Sequence, residues 1–158
     1  MFGKPQAQHE WFNDLIGNWE FSHECSMGPD QPVSTTSGTV VGRSLSGLWT
    51  VLEFAGETPE HGQWTSLYTL GFDPRMDRFV ATFVASMMTH LWVYEGQLDD
   101  SGKVLTLDVE GPRFDGEGLV RYQDSIEIVD PDHWVLRSRI LGDDGQWHSF
   151  MEGHHRRV

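Results

Sequence analysis

One set of side chains in this sequence has types and spacings suited to binding or transforming a small molecule: His23, Trp64, Tyr68, His90, Trp92, Tyr94, Tyr122 and Asp124. Each sits in period-two alternation with apolar neighbours. His23 is in step with Trp19 and Phe21, and Tyr68 with Trp64, Ser66 and Leu70. Trp92 is in step with His90 and Tyr94, and Asp124 with Tyr122, Ile126 and Ile128. Residues of one parity share one face of a strand. A mainly aromatic face with a few hydroxyls, imidazoles and a carboxyl suits a small-molecule site, where aromatics give affinity and polar groups fix orientation. The same residues would also serve a filled core in which they hydrogen-bond one another. Non-catalytic binding of a small, mostly apolar ligand is the leading reading. The alternative from another class is an acid–base enzyme acting on a small carbonyl or lipid-like substrate, with Asp124 and His90 moving the proton. A third is a solid barrel that works through its surface, with Trp134 and Trp147 in a dimer interface.

Other chemistries find less support. The chain has eight histidines, but His154 and His155 are adjacent and point to opposite faces of a strand. His148 and His154 share parity yet stand roughly 20 Å apart along it. Met87, Met88 and His90 lie close together, and Met in a strand serves packing more often than ligation. No metal and no cofactor is expected; haem held by His23 or His90 is the one cofactor-bearing alternative. Asp143-Asp144-Gly145 and Asp130-Pro131-Asp132 lack the spacing and distal Glu of a calcium loop. Gly42-Arg43-Ser44-Leu45-Ser46-Gly47 misses the G-x-S-x-G nucleophile elbow, and no helix follows it. Gly116-Glu117-Gly118 lacks the third glycine of a phosphate-binding loop.

Composition narrows the class. At 158 residues the chain reads as a single domain, 1–158, with an N-terminal segment and helix over 1–16 and a barrel over 17–158. Seven Trp and nine Phe are enough to dominate both core and pocket wall. The lone Cys25 cannot form an intrachain disulfide, which fits a cytoplasmic protein, and its parity makes it a core thiol. The N-terminus lacks the charged and apolar regions of a signal peptide, and no apolar run is long enough to span a bilayer. Eleven basic against twenty-four acidic residues, a net charge of −13, opposes nucleic acid and anionic membranes.

The elements that must position the candidate residues follow from the period. Ala7, Trp11 and Leu15, with Phe12 and Ile16 beside them, predict a helix over 7–16 that stops at Gly17. So short a helix must dock on something, and a barrel end is the obvious place. Trp19, Phe21, His23, Cys25 and Met27 then take one face of a first strand. Nine more strands are predicted at 35–43, 48–55, 64–72, 78–87, 91–98, 104–110, 119–129, 134–141 and 147–155. Asp-Pro and Asp/Gly turns separate them, and the longer connections at 56–63 and 111–118 are the candidate lids. Hairpins in series without crossover helices predict an all-β, antiparallel up-and-down barrel of about ten strands, closed because closure removes exposed edges. Both faces of 78–87 are apolar, so a second subunit is the expected cover of its outer side and a homodimer is the one assembly suggested.

Gly17-Asn18-Trp19 after the helix and Arg156-Arg157 at the end of the last strand resemble the calycin arrangement of lipocalins and fatty-acid-binding proteins. That resemblance implies an arginine stacked over the strand-one Trp, closing the barrel floor. A closer resemblance runs over nearly the whole chain. His9-Glu10-Trp11-Phe12, Gly17-Asn18-Trp19-Glu20, Thr69-Leu70-Gly71-Phe72-Asp73 and Leu91-Trp92-Val93-Tyr94-Glu95-Gly96 carry it. So do Glu110-Gly111-Pro112 and Asp144-Gly145-Gln146-Trp147. Together these resemble the bacterial family of domain of unknown function 1579, which implies a lipocalin-like barrel and no particular activity.

Overall fold

Alternating apolar and polar residues give each strand one face to bury, and ten such strands bury them by curling into a closed barrel. The structure, a computed structural model, describes residues 2–158. The strands are β1 (Gly17–Cys25), β2 (Ser34–Leu45), β3 (Trp49–Thr58), β4 (Gly62–Asp73), β5 (Arg78–Ala85), β6 (Trp92–Leu98), β7 (Val104–Pro112), β8 (Leu119–Asp130), β9 (His133–Leu141) and β10 (Trp147–Arg157). Each pairs antiparallel with its sequence neighbours, and β10 returns to β1 with Trp19 opposite Arg157 and Cys25 opposite Met151. All ten strands fall where the alternation predicts them, within a few residues at the ends.

The N-terminal segment differs from the expected continuous helix. One α-helical turn, α1 (Ala7–Glu10), passes into a 3₁₀ turn over Trp11–Leu15. In a 3₁₀ helix residues three apart eclipse, so Phe12 and Leu15 both point into the barrel, 1% and 0% exposed. Ala7 is exposed rather than part of the buried stripe. Phe12 meets Phe79 edge-on at 5.7 Å, and the Trp11 indole donates to the Gly102 carbonyl at 2.8 Å. This plug also settles the facing of β5: Phe79 and Ala81 go inward beneath it, while Val84 is exposed outside.

The half of the barrel under the plug is filled. Leu70, Leu105, Leu107, Ile126, Trp19 and Trp134 are all at most 1% exposed there. Trp134 therefore does not lie in a surface interface; it meets Trp19 edge-on at 6.1 Å and stacks on His155. Met27 lies past the end of β1 and is exposed, not on the buried face. The 56–63 connection is no lid, because β3 and β4 extend through it and leave only 59–61 between them. Among the described residues no helix is long and apolar enough to cross a membrane.

Arg157 latches this closed end. Its guanidinium lies 4.2 Å from the centre of the Trp19 ring, donates to the Ile16 carbonyl at 2.9 Å and reaches the Pro131 carbonyl at 2.8 Å. It thus joins the plug, β1 and the β8–β9 turn. Removing it as Arg157→Ala deletes a cation–π contact, three hydrogen bonds to the Ile16 and Pro131 carbonyls and the Asp132 ion pair, and should lower stability by about 1–3 kcal/mol. Arg157→Lys should recover less than half of that loss, since an ammonium has no planar fork to serve both carbonyls. Urea unfolding midpoints of the two variants check this.

Candidate functional site

Beyond the filled half a cavity of about 270 Å³ remains, opening at the end away from the plug, and the Tyr68–Asp124 hydrogen bond between β4 and β8 reaches across it. Its walls come from the ends of β1, β5 and β9 and the starts of β4, β6, β8 and β10, which antiparallel pairing brings to one rim. Three layers can be distinguished.

At the mouth, Phe114 from the 113–118 loop meets Tyr122 at 5.5 Å and Phe150 at 5.1 Å, both edge-on. The loop is tied down by the Arg113–Asp143 ion pair at 2.8 Å. Met87 and Met88, from the β5–β6 connection, form the neighbouring part of the rim, where Met88 Sδ accepts from the Trp92 indole at 3.0 Å. A bulge between Ser149 and Met151 breaks the alternation of β10, so Phe150 and Met151 both line the cavity. Cys25 lines it as well, half-buried rather than in the core, and burial pushes its thiol up, away from the reactive thiolate.

On one wall Asp124 anchors a polar cluster. Ser138 Oγ donates to its Oδ1 at 2.6 Å and Tyr68 OH donates to its Oδ2 at 3.0 Å. Tyr94 stacks on Tyr68, ring centres 5.5 Å apart. Burial pushes the Asp124 carboxyl up, opposed by the Ser138 and Tyr68 hydrogen bonds. Burial also holds both phenols well above their ordinary value, and the Asp124 charge adds to it. Ser66 faces the cavity from β4, 8% exposed, and its Oγ has no hydrogen-bond partner.

At the floor, His23 Nε2 lies 3.0 Å from His155 Nε2, and His155 Nδ1 faces the Trp134 carbonyl at 3.3 Å. Trp134 stacks flat on His155, ring centres 3.5 Å apart. Gly153 on β10 makes room for this pair: a Cβ there would fall 2.1 Å from His23 Cδ2. Burial lowers His23 to about 4 and His155 well below the ordinary imidazole value, the proximity of the two rings adding to the second. Both are neutral at physiological pH.

Of the residues marked out in sequence, the structure brings His23, Trp64, Tyr68, Trp92, Tyr94, Tyr122 and Asp124 to this one cavity. His90 is not among its lining residues. It precedes β6 in irregular chain and packs edge-on against Trp92 at 4.8 Å, so it forms no proton-transfer pair with Asp124. Three of the seven have their donors engaged outside the set: the Trp64 indole donates to Thr36 Oγ1 at 3.0 Å, the Trp92 indole to Met88 Sδ, and the Tyr122 hydroxyl to the Pro112 carbonyl. Sequence reasoning missed Ser138 and His155 as site groups. Both carry the inward parity of their strands, which was the available signal; Phe150 had none, because the bulge creates its orientation. Among the described residues no group of three or more His, Cys, Asp or Glu is placed to hold a metal ion.

The neutral histidine pair predicts a pH dependence. Unfolded imidazoles titrate near about 6.5, while His23 titrates at about 4 in the fold. Between those values the unfolded chain binds more protons than the folded one, so stability falls as pH is lowered through that window. Unfolding midpoints should drop from about pH 7 to about pH 4.5. The double variant His23→Phe/His155→Phe should show a shallower drop, and an equal drop would mean that the rings do not set it.

Known structures match the barrel at low sequence identity. The crystal structure of Rv2717c from M. tuberculosis superposes with a TM-score of 0.71 at 11% identity, covering 98% of this chain and 99% of that one. The S-type phycobiliprotein lyase CPES from Guillardia theta gives 0.63 at 11% identity, covering 97% and 93%. A redesigned β-barrel, mFAP0, solved bound to DFHBI, gives 0.51 at 13% identity, covering 91% and 99%. These likenesses concern the fold. No curated protein sequence matches the chain. Residues 4–157 match one family throughout, and the chain belongs to it: the family described as protein of unknown function, DUF1579.

Proposed function

We propose that this protein binds a small, mostly apolar molecule in the open half of its barrel, without transforming it. The observation that carries the reading is the cavity of about 270 Å³ between a filled half and an open rim. That volume lies just below the range of pockets for drug-sized ligands, so the ligand is small. Trp64, Tyr68, Trp92, Tyr94 and Tyr122 supply the apolar walls, and His23, Asp124 and Ser66 the polar contacts. The mFAP0 barrel, with DFHBI bound, supports the idea that such a barrel can hold a small molecule. The acid–base alternative loses support because His90 stands outside the cavity.

Native mass spectrometry of the protein as purified from cells, beside its denatured mass, tests this first. A retained adduct is expected, and its mass identifies the ligand. Trp92 is half-buried in the cavity wall, so Trp92→Ala should weaken binding at least about tenfold while lowering stability by less than the roughly 3–5 kcal/mol of a core Trp truncation. Equal loss of both would mean that the ring serves packing.

A second reading concerns the outside of the barrel. Trp49, Val84, Leu91 and Val93 are exposed around β5 and β6, and the pairing register sets Val93 beside Thr82 and Trp49 two strands from Val80. Such a patch fits self-association. Sedimentation velocity should show a dimer that Val93→Glu dissociates; a monomer at all concentrations tested rules it out.

A further inference from the structure

The hydrogen bonds at the cavity floor fix the tautomers of both histidines. A carbonyl can only accept, so His155 Nδ1, 3.3 Å from the Trp134 oxygen, carries the hydrogen. A neutral imidazole has one N–H, and burial keeps both rings neutral. His155 Nε2 is therefore a bare lone pair, and His23 Nε2, 3.0 Å away, must donate to it. That leaves His23 Nδ1 bare as well.

His23 Nδ1 belongs to the ring edge opposite the one pressed on β10, since Cδ2 and Nε2 are the atoms nearest the Cα–Cβ direction of Gly153. Among the described residues no protein donor reaches it, and it is not sealed from solvent as Ser66 Oγ and Trp134 Nε1 are. His23 lines the cavity, and this edge of its ring is the one turned away from β10. Ser66 lines the same space, its Oγ without a partner but itself buried. No Lys or Arg is among the described residues lining it, and Asp124 adds a carboxyl.

We propose that the ligand is electrically neutral, with a ring-sized apolar body and a hydroxyl or N–H group that donates to His23 Nδ1, and that carboxylates such as fatty acids are rejected. This rests on the reading of the cavity as a ligand site. An anion entering would exchange water for a bare lone pair and a carboxyl, with no cation to offset its desolvation. A neutral donor would instead satisfy an acceptor that the protein leaves open.

Calorimetric titration with 2-naphthol, 2-naphthoate and naphthalene at neutral pH tests this, the three sharing one apolar body. 2-Naphthol should bind about tenfold more tightly than naphthalene, the effect of one hydrogen bond, and 2-naphthoate more weakly than either. In His23→Leu the naphthol preference over naphthalene should vanish while naphthalene still binds. Naphthoate binding as tightly as naphthol overturns the inference and leaves the cavity reading standing. If none of the three binds, the cavity reading falls and the inference with it. A preference that survives in His23→Leu overturns the assignment to His23. That variant leaves His155 Nε2 unpaired, so a readout on the unmodified protein accompanies it: two-dimensional ¹H–¹⁵N NMR of histidine-labelled protein. His23 Nδ1 should appear as a hydrogen-free nitrogen that moves upfield with naphthol and not with naphthalene. A protonated or unmoved Nδ1 overturns the proposal.

Discussion

Pairing of β1 with β10 is the contact on which the rest of the molecule depends, because it converts a ten-stranded meander into a ring with no edges. Closure also fixes the width. About eight strands make a barrel whose interior side chains just fill it, and added strands leave space. Ten strands of this length solve the problem differently at their two ends. The N-terminal plug and the large residues Trp19 and Trp134 occupy one half. In the other half the inward positions carry the smaller Ser66, Ser138 and Asp124 along with the aromatics, and the interior is not filled. The cavity is thus a consequence of strand number together with which end received the bulky residues.

Low dielectric inside the ring governs how its polar groups behave. Buried hydroxyls, imidazoles and carboxyls must find partners or destabilise the fold. Most do: Asp124 accepts from both Ser138 and Tyr68, Thr36 joins the Trp64 indole to the Glu57 carbonyl, and the histidines bond each other. Trp134 Nε1, in the filled half, has no such bond. Ser66 Oγ, in the open half, has no hydrogen-bond partner either.

Strand positions were legible in the sequence because alternation with Asp, Gly and Pro turns is a local signal, and antiparallel neighbours need nothing more to pair. The same parity placed seven of the eight candidate residues in one cavity. His90 failed because its strand begins at Trp92, so the parity rule was extended two residues into irregular chain. Phe150 failed for the opposite reason: the strand continues but a bulge resets its facing. The expected N-terminal helix forms over Ala7–Leu15, but its second half tightens to 3₁₀, which aligns Phe12 and Leu15, three apart, toward the barrel. Each miss is a case of tertiary closure overruling a local period.

What composition could not convey is the contrast between surface and interior. A net charge of −13 describes the outside, whereas the cavity holds no lysine or arginine among its described lining residues, and its histidines are uncharged. The direction of the histidine chain follows from a single main-chain oxygen: because the Trp134 carbonyl accepts from His155, His155 must accept from His23, and the last open position in the chain is an acceptor. Reversing that polarity would need a donor in place of the carbonyl, which a paired β-strand backbone at this position does not offer. Backbone geometry on β9 thus sets the hydrogen-bonding character of a group on β1, and through it the kind of molecule the cavity can satisfy.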